Sequence, residues 1–318
     1  MTQRQLAEAA RAWGFSHDAC RLFARRENLI FRVELPERTL ALRIHRAGYT
    51  PLADLRSEHM WLRHLAGVEQ RGRLQVPQPI KTLTDDDLLV IDGVTVDCIS
   101  WLPGEPLSAS LLAYREGELS AAALAKLFSR LGRALAALHV YSDRWRPPPA
   151  FSRRSWDAQG LVGAEPAWGR FWEHPQLTDV ERALLRALRD AGRTDLAART
   201  PDYGLIHADA VADNVLVHRG EVALIDFDDA GYGYRGFDVA TALLKHRHLP
   251  VYGELRAALL DGYRSVTAID TESLELLFAL RAASYVGWIA SRLEEPGARE
   301  RSARYIAQAC EEARRLLD

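Results

Sequence analysis

The apolar positions of the first hundred residues come in short runs broken by turn residues, with helical spacing before and between them. Thr2 to Trp13 reads as an amphipathic helix. Cys20–Ala24, Leu29–Leu35 and Thr39–Ile44 read as three strands, the last two joined by the turn Pro36-Glu37-Arg38. Pro51 to Leu65 reads as a helix whose inner face carries Leu55, Leu62 and Leu65, and Glu58 falls on that same face. Leu88–Ile91 and Val94–Trp101 read as a hairpin around Asp92-Gly93. The cluster Leu102-Pro103-Gly104-Glu105-Pro106 suits a boundary between two units. Beyond it, Ser120–His139 sets Leu124, Leu127, Leu131, Leu135 and Leu138 on one side, with His139 read as a packed helix-end residue. Further helices begin near Val251, Glu272 and Gly297.

One stretch departs from the helical spacing of this second part: Leu205–Asp229, LIHADAVADNVLVHRGEVALIDFDD. A short apolar run ends at His207, and a polar loop carries Asp209, Asp213 and Asn214. Val215–Val217 and Val222–Ile225 follow, with His218-Arg219-Gly220-Glu221 between them, a hairpin turn by its glycine. With Arg219 and Gly220 as the loop, residue 218 faces 221 and residue 214 faces 225. Asn214 and Asp226 then stand side by side at the open end of the hairpin, and Asp209 hangs just before it. A hard cation such as Mg2+ takes oxygen ligands, and needs few from protein when phosphates supply the rest. Asn214 and Asp226 suit that task. Asp209 is left to orient an attacking hydroxyl and take its proton. The spacing H-x-D-x4-N followed by D-F-D is the catalytic and metal half of the kinase signature set. Here it is His207, Asp209 and Asn214, then Asp226-Phe227-Asp228.

HADAVADN and IDFDDAGYGYRGFDVATAL resemble the aminoglycoside phosphotransferase and choline kinase-like family, in particular the bacterial small-molecule kinases that include homoserine kinase-like proteins. Motif-level similarity runs from about Phe15 to about Leu244, and the C-terminal helices match in general character only. The resemblance implies an α+β, two-lobed protein-kinase-like fold, with a small antiparallel-sheet N-lobe over residues 1–99 and a larger α-helical C-lobe over 100–318. It implies ATP and Mg2+ in the cleft, and transfer of the γ-phosphoryl group to a hydroxyl of a small molecule: amino acid, amino alcohol, sugar or antibiotic. Asp209 would be catalytic and Asn214 and Asp226 metal ligands, with His207, Asp228 and Asp238 in support. The family's counterpart of Asp238 braces the catalytic loop backbone, although locally Asp238 also reads as a helix N-cap. Cys98, Ile99, Ser100 and Trp101 would form a hinge whose backbone reads adenine, and Leu216 and Ile225 would also lie on the nucleotide. Ala230–Gly236 would be a short glycine-rich loop in the activation-segment region.

Two features depart from the kinase pattern. Arg25-Arg26-Glu27-Asn28 stands where a protein kinase has its Gly-rich loop, without a glycine. The family often has a Glu-Asn pair there, matched by Glu27-Asn28, and backbone N–H groups would cover the phosphates. Arg43, in Leu40-Ala41-Leu42-Arg43, replaces the phosphate-holding lysine of the V-A-I-K strand. Arginine is always charged and grips phosphate bidentately. Glu58, on a buried stripe, needs a partner, and Arg43 would supply it as the kinase Lys–Glu pair does. Relatives that resemble stress-response Ser/Thr kinases keep a protein kinase open as an alternative. Arg43 and the missing Gly-rich loop keep open a nucleotide-binding pseudokinase regulator.

A chain of 318 residues suits two domains, and a net charge of −2 favours neither nucleic acid nor an anionic membrane as partner. Lys81, Lys126 and Lys245 are the only lysines, so no obvious substitute for Arg43 exists. Cys20, Cys98 and Cys310 lack metal spacing and suit a reduced cytoplasm. The first residues lack the apolar core of a secretory signal, and no apolar run is long enough to span a bilayer. Nothing in the pattern selects an oligomeric state.

Arg144–Trp172 is the least regular part, rich in tryptophan and arginine. Such segments are functional or disordered, and the tryptophans argue against disorder. It would either wall the acceptor pocket or pack its rings onto the lobe. Arg153, Arg154, Trp156 and Tyr232 are acceptor candidates, with Arg281 and Tyr285, which share a helix face. Arginine forks match carboxylates, so an anionic hydroxylated acceptor of the homoserine type is expected over a polycation.

Overall fold

The computed structural model describes residues 2–25, 28–48, 50–68, 74–198 and 202–318. Helix α1 (Gln3–Ala12) starts with a capping box in which Thr2 Oγ1 accepts from the Gln5 amide and Gln5 Oε1 accepts from Thr2 N. Strands β1 (Cys20–Arg25), β2 (Leu29–Glu34), β3 (Thr39–Ile44), β4 (Leu88–Ile91) and β5 (Val94–Ser100) form one antiparallel sheet ordered β1-β2-β3-β5-β4. The sheet and α1 enclose a small core that includes Ala10, Trp13, Val33, Leu42, Val96 and Cys98.

Helix α2 (Leu52–Val68) follows β3 in sequence, but much of its inner face serves a different core. Trp61, Leu62 and Leu65 belong to the large apolar cluster of the C-terminal part. Trp61 stands edge-on to Phe227 and donates from Nε1 to Ser142 Oγ at 2.9 Å. Glu58 and His59 of α2 face the sheet instead, and that choice matters for the site.

The chain leaves the sheet after Ser100, and β6 (Glu105–Pro106) already pairs with β9 (Val215–His218). β9 pairs with β10 (Glu221–Leu224) in the expected register, 218 opposite 221 and 215 opposite 224. The ladder extends one step further, since Ile225 N donates to Asn214 O at 3.0 Å. Helices make up most of the rest: α3 (Leu107–Arg115), α4 (Ala121–Asp143), α5 (Ala158–Val162), α6 (Asp179–Ala198), α7 (Arg235–Leu244), α8 (Tyr252–Arg264), α9 (Leu274–Ala290) and α10 (Ala298–Leu317). α3, α5 and α6 add to the helices that the spacing predicts. α4 buries Leu124, Leu131, Leu135 and Leu138 at the centre, and α9 is buried on nearly every side.

The expected glycine-rich loop is in part a strand. β11 (Gly231–Tyr234) runs antiparallel to β8 (Tyr203–Ile206) and parallel to β7 (Ser155–Trp156). A Cβ on Gly233 would lie 2.5 Å from Ile206 Cδ1 and 2.8 Å from Trp156 Cβ. Glycine is required there for close packing between strands, not for loop freedom.

Candidate active site

β8 delivers the chain into His207 and Asp209, and a buried carboxylate fixes the backbone at that point. Asp238, on α7, accepts from His207 N at 2.9 Å and from Ala208 N at 2.7 Å. His139 Nε2 lies 3.0 Å from Asp238 Oδ2, and its Nδ1 is 2.7 Å from Tyr263 Oη. Burial alone would raise the Asp238 carboxyl, but the bond and charge of His139 pull it below the usual range. The local reading of Asp238 as an N-cap is therefore corrected. α7 begins at Arg235, Tyr234 takes the cap position, and Asp238 lies inside the first turn. Ala208 is held at φ +63°, a left-handed conformation that Asp238 helps to impose.

The His207 ring lies 4.5 Å from Phe227, centroid to centroid. Its Nε2 faces Ile225 O at 3.0 Å, and its Nδ1 accepts from Asp209 N at 3.3 Å. A carbonyl on one nitrogen and an N–H on the other fix the neutral Nε2–H form. Burial lowers the pKa in the same sense. His207 is a support that hangs Asp209 from the hairpin, with no proton to exchange.

Asp209 accepts from Arg281 Nη2 at 2.5 Å on Oδ1 and from Asn214 Nδ2 at 2.8 Å on Oδ2. Asn214 Nδ2 also donates to Asp209 O at 2.9 Å. Both amide hydrogens of Asn214 are thus committed to Asp209, and its Oδ1 is the free end. Burial pushes the Asp209 carboxyl up to about 6, with Asp229 adding repulsion and Arg281 opposing. Asp226, at φ +67°, turns off the end of the hairpin. Its carboxyl is raised well above the usual range by loss of water and by repulsion from Asp228 and Asp209. Because the side chain is open to the cleft, repulsion is the cause that persists there.

These groups fit a hard cation. Asn214 Oδ1 and the Asp226 carboxylate are free oxygens, and the crowding of carboxylates is what a divalent charge would relieve. Asp228 Oδ1 is buried without a hydrogen-bond partner. Among the described residues, no three His, Cys, Asp or Glu side chains converge to hold a metal by themselves. Phosphate and water would have to complete the coordination.

Arg43 is where sequence reasoning found one partner and missed the stronger one. Its Nη2 donates to Glu58 Oε1 at 2.9 Å, as motif position and helical phase suggest. The same guanidinium also donates from Nε to Asp97 Oδ1 at 2.8 Å and from Nη2 to Asp97 Oδ2 at 2.5 Å. Asp97 sits directly opposite Arg43 across the β3–β5 ladder. It is fully buried, and its Oδ2 also lies 2.7 Å from His59 Nε2 and 3.3 Å from His45 Nε2. Burial opposes ionisation there, but Arg43 and His45 hold the Asp97 carboxyl well below the usual range. Arg43 Nη1 remains, 3.7 Å from Asp228 Oδ1. Asn28 Nδ2 donates to the other oxygen of Asp228 at 2.7 Å, so the β1–β2 turn reaches the same carboxylate. Glu27, the other half of the expected Glu-Asn pair, lies outside the described residues.

The expected acceptor residues separate into two groups. Arg281 and Tyr285 lie beside Asp209: Arg281 Nη2, which donates to Asp209, also donates to Tyr285 Oη at 2.9 Å. The guanidinium is stacked on Tyr285, Trp168 and Phe237 at 4.3, 4.6 and 5.4 Å, and its Nε and Nη1 have no hydrogen-bond partner. Arg154 Nη1 and Trp168 Nε1 donate to Asp229 Oδ1 at 2.7 and 3.2 Å, so both border that carboxylate. The others are elsewhere. Arg153 is buried, with Nε and Nη2 donating to the carbonyls of Ala230, Phe227 and Asp228 and Nη1 to that of Asp54. It braces the D-F-D backbone, and four of its five N–H groups go to carbonyls. Trp156 is fully buried against Phe237, and Tyr232 packs between Phe151 and Tyr203. Both are packing residues of β7 and β11.

The expected hinge, Cys98–Trp101, lies at the end of β5 and one residue past it. Cys98 O accepts from Ile80 N, Ser100 N donates to Gln78 O, and Trp101 N donates to Thr39 O. Those three backbone groups of the expected hinge are already paired. The crossover to β6 follows Trp101. Leu216 is buried and Ile225 half-buried, both on the hairpin beside that crossover.

Residues 19–277 match the phosphotransferase enzyme family. Amicoumacin kinase of Bacillus subtilis (strain 168) is 26% identical over 257 residues, 78% of this chain and 69% of that protein. Homoserine kinase of Chelativorans sp. (strain BNC1) is 31% identical over 241 residues, 73% of this chain and 66% of that protein. The structure of a microcompartment-associated aminopropanol kinase superposes with a TM-score of 0.84 at 28% identity, covering 99% of this chain and 98% of that one. An amicoumacin kinase in complex with AMP-PNP, Ca2+ and Ami shares the fold at a TM-score of 0.76 and 20% identity, covering 98% and 93%. With its two-lobed, kinase-like α+β architecture, this chain belongs to the phosphotransferase enzyme family and is a small-molecule phosphotransferase.

Proposed function

We propose that this chain transfers the γ-phosphoryl group of ATP to a hydroxyl of a small molecule, with Mg2+ in the cleft. The observation that carries the reading is the set Asp209, Asn214 and Asp226: a hydrogen-bonded base, an amide with its oxygen free, and an unbonded carboxylate. Asp209 orients the acceptor hydroxyl and accepts its proton. Asn214 Oδ1 and Asp226 are the metal ligands, and the bound cation would neutralise phosphate charge. Arg43 presents Nη1 to the phosphates, and Asn28 lies on the turn above them. Catalysis then rests on positioning and electrostatics.

For the acceptor, the rings of Trp168, Tyr285 and Phe237 could form a cation–π box, but the guanidinium of Arg281 fills it. A quaternary ammonium has no place there. Arg281 keeps Nε and Nη1 unpartnered, while Asp229 offers one carboxylate to an amine. This combination favours a small hydroxy amino acid of the homoserine type over choline or an aminoglycoside, in line with the similarity to homoserine kinase. ATP consumption measured side by side with homoserine, its amide, choline and an aminoglycoside tests it. Asp209→Asn should cut turnover about 10²–10⁴-fold while ATP still binds. Near-normal turnover in that variant refutes the base assignment, and a preference for the amide or for a cation refutes the acceptor class.

A further inference from the structure

Arg153 lies just before β7, and its side chain is 2% exposed. We propose that Arg153 is a positioning residue for the cation site: it holds the backbone that carries Asp226 in fixed relation to the helix that carries Glu58. The proposal rests on the phosphotransfer reading above and adds to it a residue behind the site.

Three observations support it. First, one guanidinium gathers the chain that follows Asp226. Nη2 donates to Phe227 O at 2.5 Å and to Asp228 O at 2.9 Å, and Nε donates to Ala230 O at 2.6 Å. Second, the same group reaches α2. Nη1 donates to Asp54 O at 3.0 Å and lies 3.9 Å from Glu58 Oε2, an oxygen buried without a hydrogen-bond partner. The other oxygen of Glu58 accepts from Arg43. Glu58 therefore stands between the arginine on the phosphate side and the arginine behind the metal loop. Ser152 N donates to Ser57 Oγ at 2.9 Å, so a further bond ties this segment to α2. Third, Asp226 depends on outside support. Among the described residues nothing hydrogen-bonds its carboxylate, whereas Asn214 is fixed by its own bonds to Asp209. Its backbone is at φ +67°, a conformation that persists in a non-glycine residue only where the surroundings impose it. The aim of this carboxylate is thus set by its backbone, and Arg153 holds the next carbonyls. Mg2+ demands near-ideal octahedral geometry, while Ca2+ accepts a flexible shell. A loosened Asp226 costs Mg2+ more than Ca2+.

The test uses the full chain, AMP-PNP as the probe, and wild type beside Arg153→Lys. The lysine keeps the charge but has three donors where Arg153 uses four. Calorimetry follows AMP-PNP binding without metal and through Mg2+ and Ca2+ titrations, and thermal melts check the fold. Arg153→Lys should raise the Mg2+ needed for half-saturation about tenfold or more, the loss common for groups that orient metal ligands. The Ca2+ requirement should rise less. Metal-free binding should match wild type, because Asp97 still holds Arg43. A merely destabilised chain would shift all three together. Equal rises for Mg2+ and Ca2+, an unchanged Mg2+ titration, or a metal-free affinity that falls in step each overturn the proposal. AMP-PNP binding by wild type that ignores both metals refutes the cation reading itself, and the proposal with it. If Arg153→Lys does not melt cooperatively, hydrogen exchange on wild type decides. The amides of residues 227–231 should exchange slowly before any metal is added. Fast exchange that slows only with Mg2+ means that the cation orders this loop, and overturns the proposal.

Discussion

Asp97→Asn is the substitution that tests how the phosphate-side arginine is held. Asp97 is fully buried and takes two hydrogen bonds from Arg43, at 2.8 and 2.5 Å, with His59 at 2.7 Å on the shared oxygen. Removing one partner of a buried pair costs about 3–5 kcal/mol, because the other charge is left uncompensated. Glu58 still holds Arg43 at 2.9 Å. The loss therefore belongs at the low end, about 3 kcal/mol, or a fall in Tm on the order of 5 °C for a chain of this size. Glu58→Gln removes one bond and leaves both Asp97 bonds in place, so about 1–2 kcal/mol is expected. Urea and thermal melts of the two variants at pH 7 give the order. A double-mutant cycle with Arg43→Ala should show strong non-additivity for Asp97 and weaker non-additivity for Glu58. If Glu58→Gln costs as much as Asp97→Asn, or if Arg43 and Asp97 add independently, Asp97 is not the anchor.

The same network has a pH signature. Burial and Arg43 oppose protonation of His45, but Asp97 raises its pKa above the ordinary value. A raised histidine contributes stability that is full below about 6.5 and is lost as pH climbs through the folded value. Asp97 is depressed, so its contribution is present above about 3.9 and is lost as pH falls through its folded value. Wild type should therefore lose stability going from pH 6.5 to 8, and Asp97→Asn should flatten that decline.

With the base pushed up to about 6, kcat/KM should fall with unit slope below about pH 6, read from a pH–rate profile at saturating Mg2+. The raised Asp209 contributes stability below about 3.9 that is lost as pH rises through about 6. Asp209→Asn should therefore flatten the wild-type loss of stability between about pH 4 and pH 7, as denaturant titrations at the two pH values would show. Asn214→Ala and Asp226→Ala should raise the Mg2+ requirement for nucleotide binding; an unchanged Mg2+ titration refutes both as ligands. Ala208 is fully buried at φ +63°. Ala208→Gly trades about 1 kcal/mol of left-handed strain against a similar entropy cost and should leave the urea midpoint nearly unchanged. Ala208→Val should lower it clearly, because a β-branched side chain resists that conformation.

What the sequence made legible was what local chemistry determines. The hairpin register followed from one turn glycine, and with it came the opposition of Asn214 and Ile225. Glu58 was visible because an acid stood on an apolar helical stripe. Arg281 and Tyr285 were visible as polar groups one turn apart on a helix otherwise buried. Arg153 and Trp156 were not separable from Arg154 and Trp168, because Arg144–Trp172 has no period to tell inward from outward. Asp97 was missed for a different reason. Its partner is 54 residues away, and only the β3–β5 register, which skips α2 and β4, brings them opposite. The available signal was an acid inside the apolar run Val94–Ile99. A charge in a central strand needs a counter-charge on the neighbouring strand, and Arg43, already matched to Glu58, had further donors to give.

Arg43→Lys follows from the same geometry. Of five N–H donors on Arg43, Nε and Nη2 spend three on Asp97 and Glu58, tying β3 to β5 and to α2. Nη1 stays free, 3.7 Å from Asp228 Oδ1. One planar fork thus anchors itself and still presents two hydrogens on the Asp228 side, where the proposed phosphates would lie. An ammonium is a point charge on a shorter reach and cannot satisfy two buried carboxylates and a phosphate from fixed directions. Lysine in other kinases faces one glutamate, whereas here Asp97 would be left short of a partner. Arg43→Lys should therefore keep some turnover but raise the KM for ATP, and it should also lose stability. Adding Asp97→Val should restore part of that stability by removing the stranded charge. A lysine variant with full stability and an unchanged KM for ATP would mean that Asp97 is held by its histidines alone, and that arginine at position 43 has no structural reason.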